Sequence, residues 1–474
     1  MGQALLLGKN KSRGLFATRP AGISLIIPFN NAEYKLELVQ ENISNGETPF
    51  GKLTGKGNRE KTGTIKAVHY RGFVYGSMSS YASFSVFADG SIMCLFANEE
   101  GNFNLGKLKD GKYILYNSAH MPSHPGFVCG TEETPAGSVI APAFNIQNAT
   151  PMPLDVPPLL CNKIRIYWEG NYKLYNYNFG NSLQATANYL SGLFNQVATM
   201  YRNEGIVIEL TEVYIWVTQD PYITTSSATG LSSIKSRWNA LGDTFNGDFC
   251  VLIDGGETTN GGRAYILTFT LCNRVSAYGY ANVYGLYNNV PTYSWDVEVV
   301  THEMGHMMGS HHTHWCGWGT GAGGACGAID DCYTLESVTG CTACSAAVAT
   351  NPTPPAGFKG TVMSYCHLRS GIGINLANGF GPLPQAAIRN MVENAFCMGK
   401  NNVWTGAHNT AWENVLNWSC ASIPDTTTDV TIPGRLVNYP IINSNAACRM
   451  LTQEENTSVE IKPGFNLKVV GKND

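Results

Sequence analysis

The sequence predicts an α+β protein whose central region alternates strands with helices and is flanked on both sides by regions of short strands. Three observations predict it. Residues 1–150 carry short alternating runs broken by turns, residues 163–400 switch repeatedly between period-2 and helical spacing, and residues 401–474 return to short strands. A proline-rich stretch, 151–162, separates the first two regions and reads as an extended linker. With 474 residues the chain exceeds one ordinary core, and about two to four domains are expected.

The first region contains Ile23–Ile27, stopped by Pro28, and Lys35–Val39. Tyr81–Phe87 alternates cleanly before the turn at Asp89-Gly90. No catalytic constellation stands out there. After the linker, Lys163–Trp168 reads as a strand. Ala187, Leu190, Phe194, Val197 and Tyr201 then recur at spacings of three and four, as on an amphipathic helix. Asn181-Ser182 can cap its start and Gly205 follows its end. Ile206–Leu210 with Val213–Val217 reads as one long strand, Phe249–Ile253 as the next and Arg263–Leu271 as a third. A helix is expected over about 296–308, and a last one over about 384–396. Between them, 316–362 is Gly-, Ala- and Cys-rich with little periodicity, which disulfides can staple. Past Val403 the chain carries Trp404, Trp412 and Trp418; a small core or a carbohydrate-binding surface both fit them.

Composition removes several function classes. The net charge is −4 and no dense Lys/Arg block occurs, so neither nucleic acid nor an anionic membrane surface is an expected partner. No run approaches the ~18 apolar residues of a membrane span. The 14 cysteines, six of them between Cys316 and Cys366, fit disulfides in an oxidising compartment better than a zinc ribbon. Only Cys341 and Cys344 form a CxxC pair. Secretion is therefore expected. The opening MGQALLLGKNKSRG lacks an adequate h-region, as it would if a signal peptide had been removed.

The most specific passage is His302-Glu303-Met304-Gly305-His306-Met307-Met308-Gly309-Ser310-His311-His312, which reads HExxHxxGxxH. Positions i and i+4 share a helix face, so His302 and His306 can present two imidazoles to one metal. Gly309 lets the backbone turn, because glycine adopts positive φ without a Cβ clash. The turn can return His312 as a third ligand. His311 and His314 flank it, but only His312 has the ten-residue spacing from His302. Three nitrogens leave one zinc position for water, the catalytic arrangement rather than the closed structural one.

That motif, the later Thr361-Val-Met-Ser-Tyr-Cys366 and the preceding strand order resemble the metzincin metallopeptidases, most closely the reprolysin-like (adamalysin-like) branch, over roughly 163–397. The resemblance implies a mixed twisted sheet backed by helices, an active-site helix and a methionine turn at Met363. It also implies a substrate-binding edge strand that includes Arg263, Ala264 and Tyr265, and a disulfide between Cys272 and Cys397. The implied cofactor is Zn²⁺, with Ca²⁺ a further candidate. Glu303 would serve as the base that activates the metal's water. Two departures stand out. Thr313 occupies the place where reprolysins usually have Asp, and Tyr365, two after the methionine, is similar to the serralysin and astacin pattern. There this tyrosine ligates zinc or binds the transition state; a packing role in the specificity-pocket wall is the alternative. The pappalysins share the His-Thr and cysteine-rich sequel.

More loosely, His69–Gly76 and the strand after it resemble a reprolysin propeptide, and Cys129-Gly130-Thr131 looks like a cysteine switch. A thiolate is a soft, strong zinc ligand and can fill the open position. Cys129 could instead pair with Cys94, the only other cysteine before 150. The reading that follows is a secreted, monomeric zinc endopeptidase proenzyme acting on protein or peptide substrates. An activating protease would cut in or near 151–158. The alternatives are an adhesion or binding protein on a metallopeptidase-like scaffold, or a serralysin-like or pappalysin-like peptidase. The role of residues 401–474 is open.

Overall fold

A computed structural model describes residues 3–5, 9–44, 48–55, 57–108, 110–120, 129–131, 157, 159–256, 260–266, 271–287, 290–318, 320, 327–336, 357–369, 371–395 and 397–471. The expected linker stretch 151–156 and the Cys341-Cys344 pair lie outside them.

Among the described residues, ten strands precede residue 151: β1 (Gln3–Leu5), β2 (Gly22–Phe29), β3 (Ala32–Gln40), β4 (Pro49–Thr54), β5 (Asn58–Thr64), β6 (Ala67–Val74), β7 (Tyr81–Phe87), β8 (Ile92–Asn98), β9 (Gly101–Lys107) and β10 (Tyr113–Asn117). Helix α1 (Lys9–Thr18) lies between the first two. Eight of the strands form an antiparallel sheet in the order β1-β10-β9-β8-β7-β6-β3-β2. Pro28 does not stop β2, contrary to expectation. β2 is an edge strand, where a missing N–H can face away from the ladder at no cost.

After the linker come β11 (Asn162–Gly170), α2 (Leu183–Asn203), β12 (Val207–Trp216), α3 (Ser227–Ala240), β13 (Phe249–Asp254), β14 (Gly262–Ala264), β15 (Tyr278–Asn282), the short β16 (Leu286–Tyr287) and β17 (Val290–Pro291), α4 (Tyr293–Met307) and α5 (Pro382–Glu393). The strand expected over Arg263–Leu271 is thus described as three residues only; 267–270 lie outside the described residues. The second sheet runs β14-β15-β13-β11-β12-β4-β5, parallel from β15 through β4 and antiparallel at both edges. The hairpin β4–β5 therefore belongs to this sheet, although it lies far before the linker. Arg59 pins it there. Its guanidinium stacks 4.4 Å over the Tyr214 ring and pairs with Glu212 at 3.5 Å.

Helix α2 starts where Ser182 accepts from the Ala185 N–H. An amphipathic helix on a sheet normally shows its polar stripe to water. Here every residue from Thr186 to Tyr201 is buried, because the first sheet covers the outer side. Part of the polar stripe is satisfied within that interface, although the Gln196 side-chain amide finds no hydrogen-bond partner among the described residues. Asn195 donates to Ser83 Oγ at 2.9 Å and accepts from Arg71 Nε at 2.9 Å, while Tyr81 donates to the Gln196 carbonyl at 2.8 Å. The first sheet also serves α4. Asn104 accepts from the Ser294 N–H at 2.8 Å, an orphan donor of that helix's first turn.

At the far end, β18 (Gly399–Val403) pairs with the start of β11 and leads through β19 (Thr428–Ile432) to the small pairs around β20 (Ile441–Ile442), β21 (Ala446–Cys448) and β22 (Met450–Gln453). A Cys161–Cys420 disulfide and a Lys163–Asp429 ion pair at 3.5 Å tie this unit to β11. Trp404, Trp412 and Trp418 are buried with Val430, Ile432 and Ile442. They form a small core, and the carbohydrate-binding alternative loses the exposed rings it needs.

Two shared strands, a buried helix face and several satisfied polar groups make the N-terminal interface resemble a domain interior more than a removable cover. At about 1 kcal/mol net per hydrogen bond plus the apolar burial, a nick should not separate the parts. A chain cut within 151–158 is expected to elute as one particle on native size exclusion and to split only in denaturant. Two native peaks would contradict this.

Candidate metal centre and its cleft

Helix α4 ends at Met307, and Gly309, at φ +85°, reverses the chain. The reversal brings His312 over the face that carries His302 and His306. All three rings are buried. Their Nε2 atoms converge: His306 lies 3.1 Å from His302 and 3.0 Å from His312. Each Nδ1 faces an acceptor, namely the Val362 carbonyl at 2.7 Å, the Ser310 carbonyl at 2.8 Å, and for His312 the Glu336 carboxylate at 2.9 and 3.0 Å. Protons therefore belong on Nδ1 and lone pairs on Nε2. Burial depresses the affinity of all three rings for a second proton, that of His302 down to about 3. Three neutral imidazoles aimed at one point could hold a cation. The set fits zinc.

Cys129 brings a fourth donor. Its Sγ lies 3.6 Å from His306 Nε2, and the four potential ligand atoms all fall within 4.8 Å of one another. Cys94 and Cys129 are both free thiols, so the pairing between them is not formed. Burial, then the neighbouring Glu303 charge, pushes the Cys129 thiol well above its ordinary value. A cation in the site would reverse that balance.

The segment around Cys129 lies along β14. Gly130 N donates to the Gly262 carbonyl at 3.0 Å, and the Thr131 hydroxyl accepts from Ala264 N at 3.1 Å. Tyr365 donates to the Cys129 carbonyl at 2.8 Å, and its ring packs 4.8 Å from that of His312. Glu303 is fully buried beside this segment, with Thr131 Oγ1 3.4 Å from its Oε2. Burial raises the Glu303 carboxyl to about 8, against lowering by Cys129, Thr131 and the Arg263 charge. Gly262 has to be glycine, because a Cβ there would run into the Glu303 carboxylate.

The other expected residues are placed as follows. Met363 lies buried beneath α4, where its Sδ would meet a Cβ on Gly305 at 2.8 Å. Arg263 borders Gly130, and Tyr265 carries Lys235 Nζ 4.4 Å above its ring. Cys272 is bonded to Cys397, and Cys332 to Cys366. His311 stacks on Trp315 at 3.8 Å, away from the cluster, and His314 stacks on His312 at 4.9 Å. Thr313 donates its N–H to the Met363 carbonyl at 3.1 Å. The three described clusters able to hold a metal each contain His or Cys, so none is an all-oxygen calcium site. Sequence reasoning missed two residues here. Glu336 reaches the site from a segment without periodicity, and Thr131 is visible only as a neighbour of Cys129.

No curated protein matches the chain. Residues 403–473 match a domain of unknown function, DUF8693. Residues 162–367 match the family model Reprolysin_5, metallo-peptidase family M12, and span β11 through the turn after Met363. The chain thus carries, in residues 162–367, a reprolysin-like domain of metallopeptidase family M12.

Proposed function

We propose that the chain is a secreted zinc endopeptidase in latent form, with Cys129 closing the metal site and the segment 129–131 standing where substrate would lie. The observation that carries this reading is the coincidence of two placements. Cys129 Sγ points at the converging Nε2 atoms, and its two successors bond to the exposed edge of β14. A disulfide-tied fold, with no helix among the described residues long and apolar enough to cross a membrane, supports secretion.

His302, His306 and His312 would hold the zinc. When bound, the metal would supply the Lewis acidity that activates a water and polarises the scissile carbonyl. The remaining work falls to the chain's own groups. With 129–131 withdrawn, the Gly262 carbonyl and the Ala264 N–H are free to bond an extended peptide main chain. Glu303 Oε takes a proton from the attacking water and returns it to the departing amine nitrogen. Its burial favours holding that proton, and the cation beside it favours release, so the carboxyl can do both. Tyr365 Oη, relieved of the Cys129 carbonyl, can donate to the developing oxyanion. The substrate class is protein or peptide.

Two variants test this. Glu303→Ala should lose proteolysis by at least about 100-fold while retaining one zinc by elemental analysis, since Glu303 is a base and not a ligand. Substantial remaining turnover would remove Glu303 from the mechanism. Cys129→Ala, assayed as the uncut chain on a fluorogenic peptide, should be more active than the parent. Equal activity would make latency a matter of steric cover alone.

A further inference from the structure

The three ligand candidates differ in how their outer nitrogens are held. His302 and His306 donate to backbone carbonyls, whereas His312 faces both oxygens of one carboxylate, that of Glu336. His312 also lies past the end of α4, on a turn rather than on a helix. Its ring therefore lacks the rotamer restraint that the helix gives the other two.

The segment carrying Glu336 is fastened to the chain around His312. Glu336 N donates to the His314 carbonyl at 3.0 Å, and Ile329 N donates to the Thr313 carbonyl at 2.7 Å. The Cys332–Cys366 disulfide joins the same segment to the residue following Tyr365. Trp318 Nε1 donates to the His312 carbonyl at 2.6 Å. Backbone and side chain of His312 are thus both held by residues that follow the signature motif. His314 Nε2 also lies 3.8 Å from the Glu336 carboxylate.

We infer that Glu336 is a positioning residue for the metal centre: its carboxylate fixes the His312 tautomer and ring orientation and raises the basicity of Nε2. The inference rests on the reading of His302, His306 and His312 as the zinc ligands. A carboxylate that accepts from a ligand's outer N–H increases electron density at the coordinating nitrogen. Losing such a partner costs about 10- to 100-fold in metal affinity in comparable sites. A glutamine in its place keeps a neutral acceptor and loses the charge.

The test is zinc affinity of the full chain by chelator competition, alongside thermal melts of the metal-free protein. Glu336→Ala is expected to weaken zinc binding about 10- to 100-fold, with Glu336→Gln intermediate and the metal-free melts unchanged. Affinity within twofold of the parent for both variants would overturn the role. Should the alanine variant fail to fold, the glutamine variant carries the decision alone, and an affinity equal to the parent's counts against the proposal. His312→Ala separates the two levels of the argument. If that variant keeps full zinc affinity, the ligand assignment itself is wrong, whatever Glu336 does.

Discussion

The fold is arranged around one electrostatic constraint: in a buried cleft the Nε2 of His306 is held about 3 Å from those of both His302 and His312. Bringing them together without a cation is unfavourable, because like dipoles meet head-on and burial removes the water that would separate them. The chain opposes this with rigid supports on every side. Helix α4 supplies two rings at one-turn spacing, Met363 fills the space under Gly305, and each outer nitrogen has an acceptor. A site preorganised at that cost gains in the affinity and selectivity of the ion that relieves it.

The supports extend well past the family-matched region. The first turn of α4 leaves a backbone donor, Ser294 N, that Asn104 satisfies, and the buried Asp296 of that turn fastens the helix to the chain before it. Asp296 accepts from Tyr284 N at 2.9 Å, from Gly285 N at 3.0 Å and from Tyr189 Oη at 2.9 Å. Asn104 belongs to β9 of the N-terminal sheet, so the helix that presents His302 and His306 is capped by a region outside the peptidase match. The same sheet contacts the turn before α5, where Asn102 accepts from Leu376 N at 2.8 Å and Asn375 donates to the Asn98 carbonyl at 2.8 Å. Taking this region away would leave those polar groups to water and the interior face of α2 exposed.

Much of the candidate centre was legible in sequence because its residues are local. His302, Glu303, His306, Gly309 and His312 fall within one helix and one turn, where spacing translates directly into geometry. Strands with strong apolar patterns, such as Phe249–Asp254, were legible for a similar reason. What stayed hidden depends on distant pairing. β5 reads Asn-Arg-Glu-Lys-Thr-Gly-Thr, a polar and mostly exposed edge with no periodic signal, and only its partner β4 fixes it in the second sheet. Glu336 sits 24 residues from His312, in a stretch whose composition suggests only loop. The three tryptophans show the converse. Their density was visible, but whether they face inward depends on the β18–β22 packing that surrounds them.

The persistence of the N-terminal sheet bears on how latency would end. On the proposed reading, while the chain is intact the thiol of Cys129 would compete for a bound metal at the effective concentration of a tethered ligand, on the order of millimolar for short linkers. A cut at 151–158 frees only the C-terminal side of that segment. On its N-terminal side, His120 remains attached to a sheet that keeps its contacts with α2 and α4. The nine residues from His120 to Cys129 span at most about 30 Å, so the thiol stays within reach of the histidines after such a cut. The direct bonds of 129–131 to β14 and Tyr365 are few, and substrate offering the same main-chain contacts competes with them on equal terms. Lasting release would therefore require either loss of the tether between 120 and 129 or chemical removal of the thiol by oxidation. The retained sheet would continue to brace α4 in both cases.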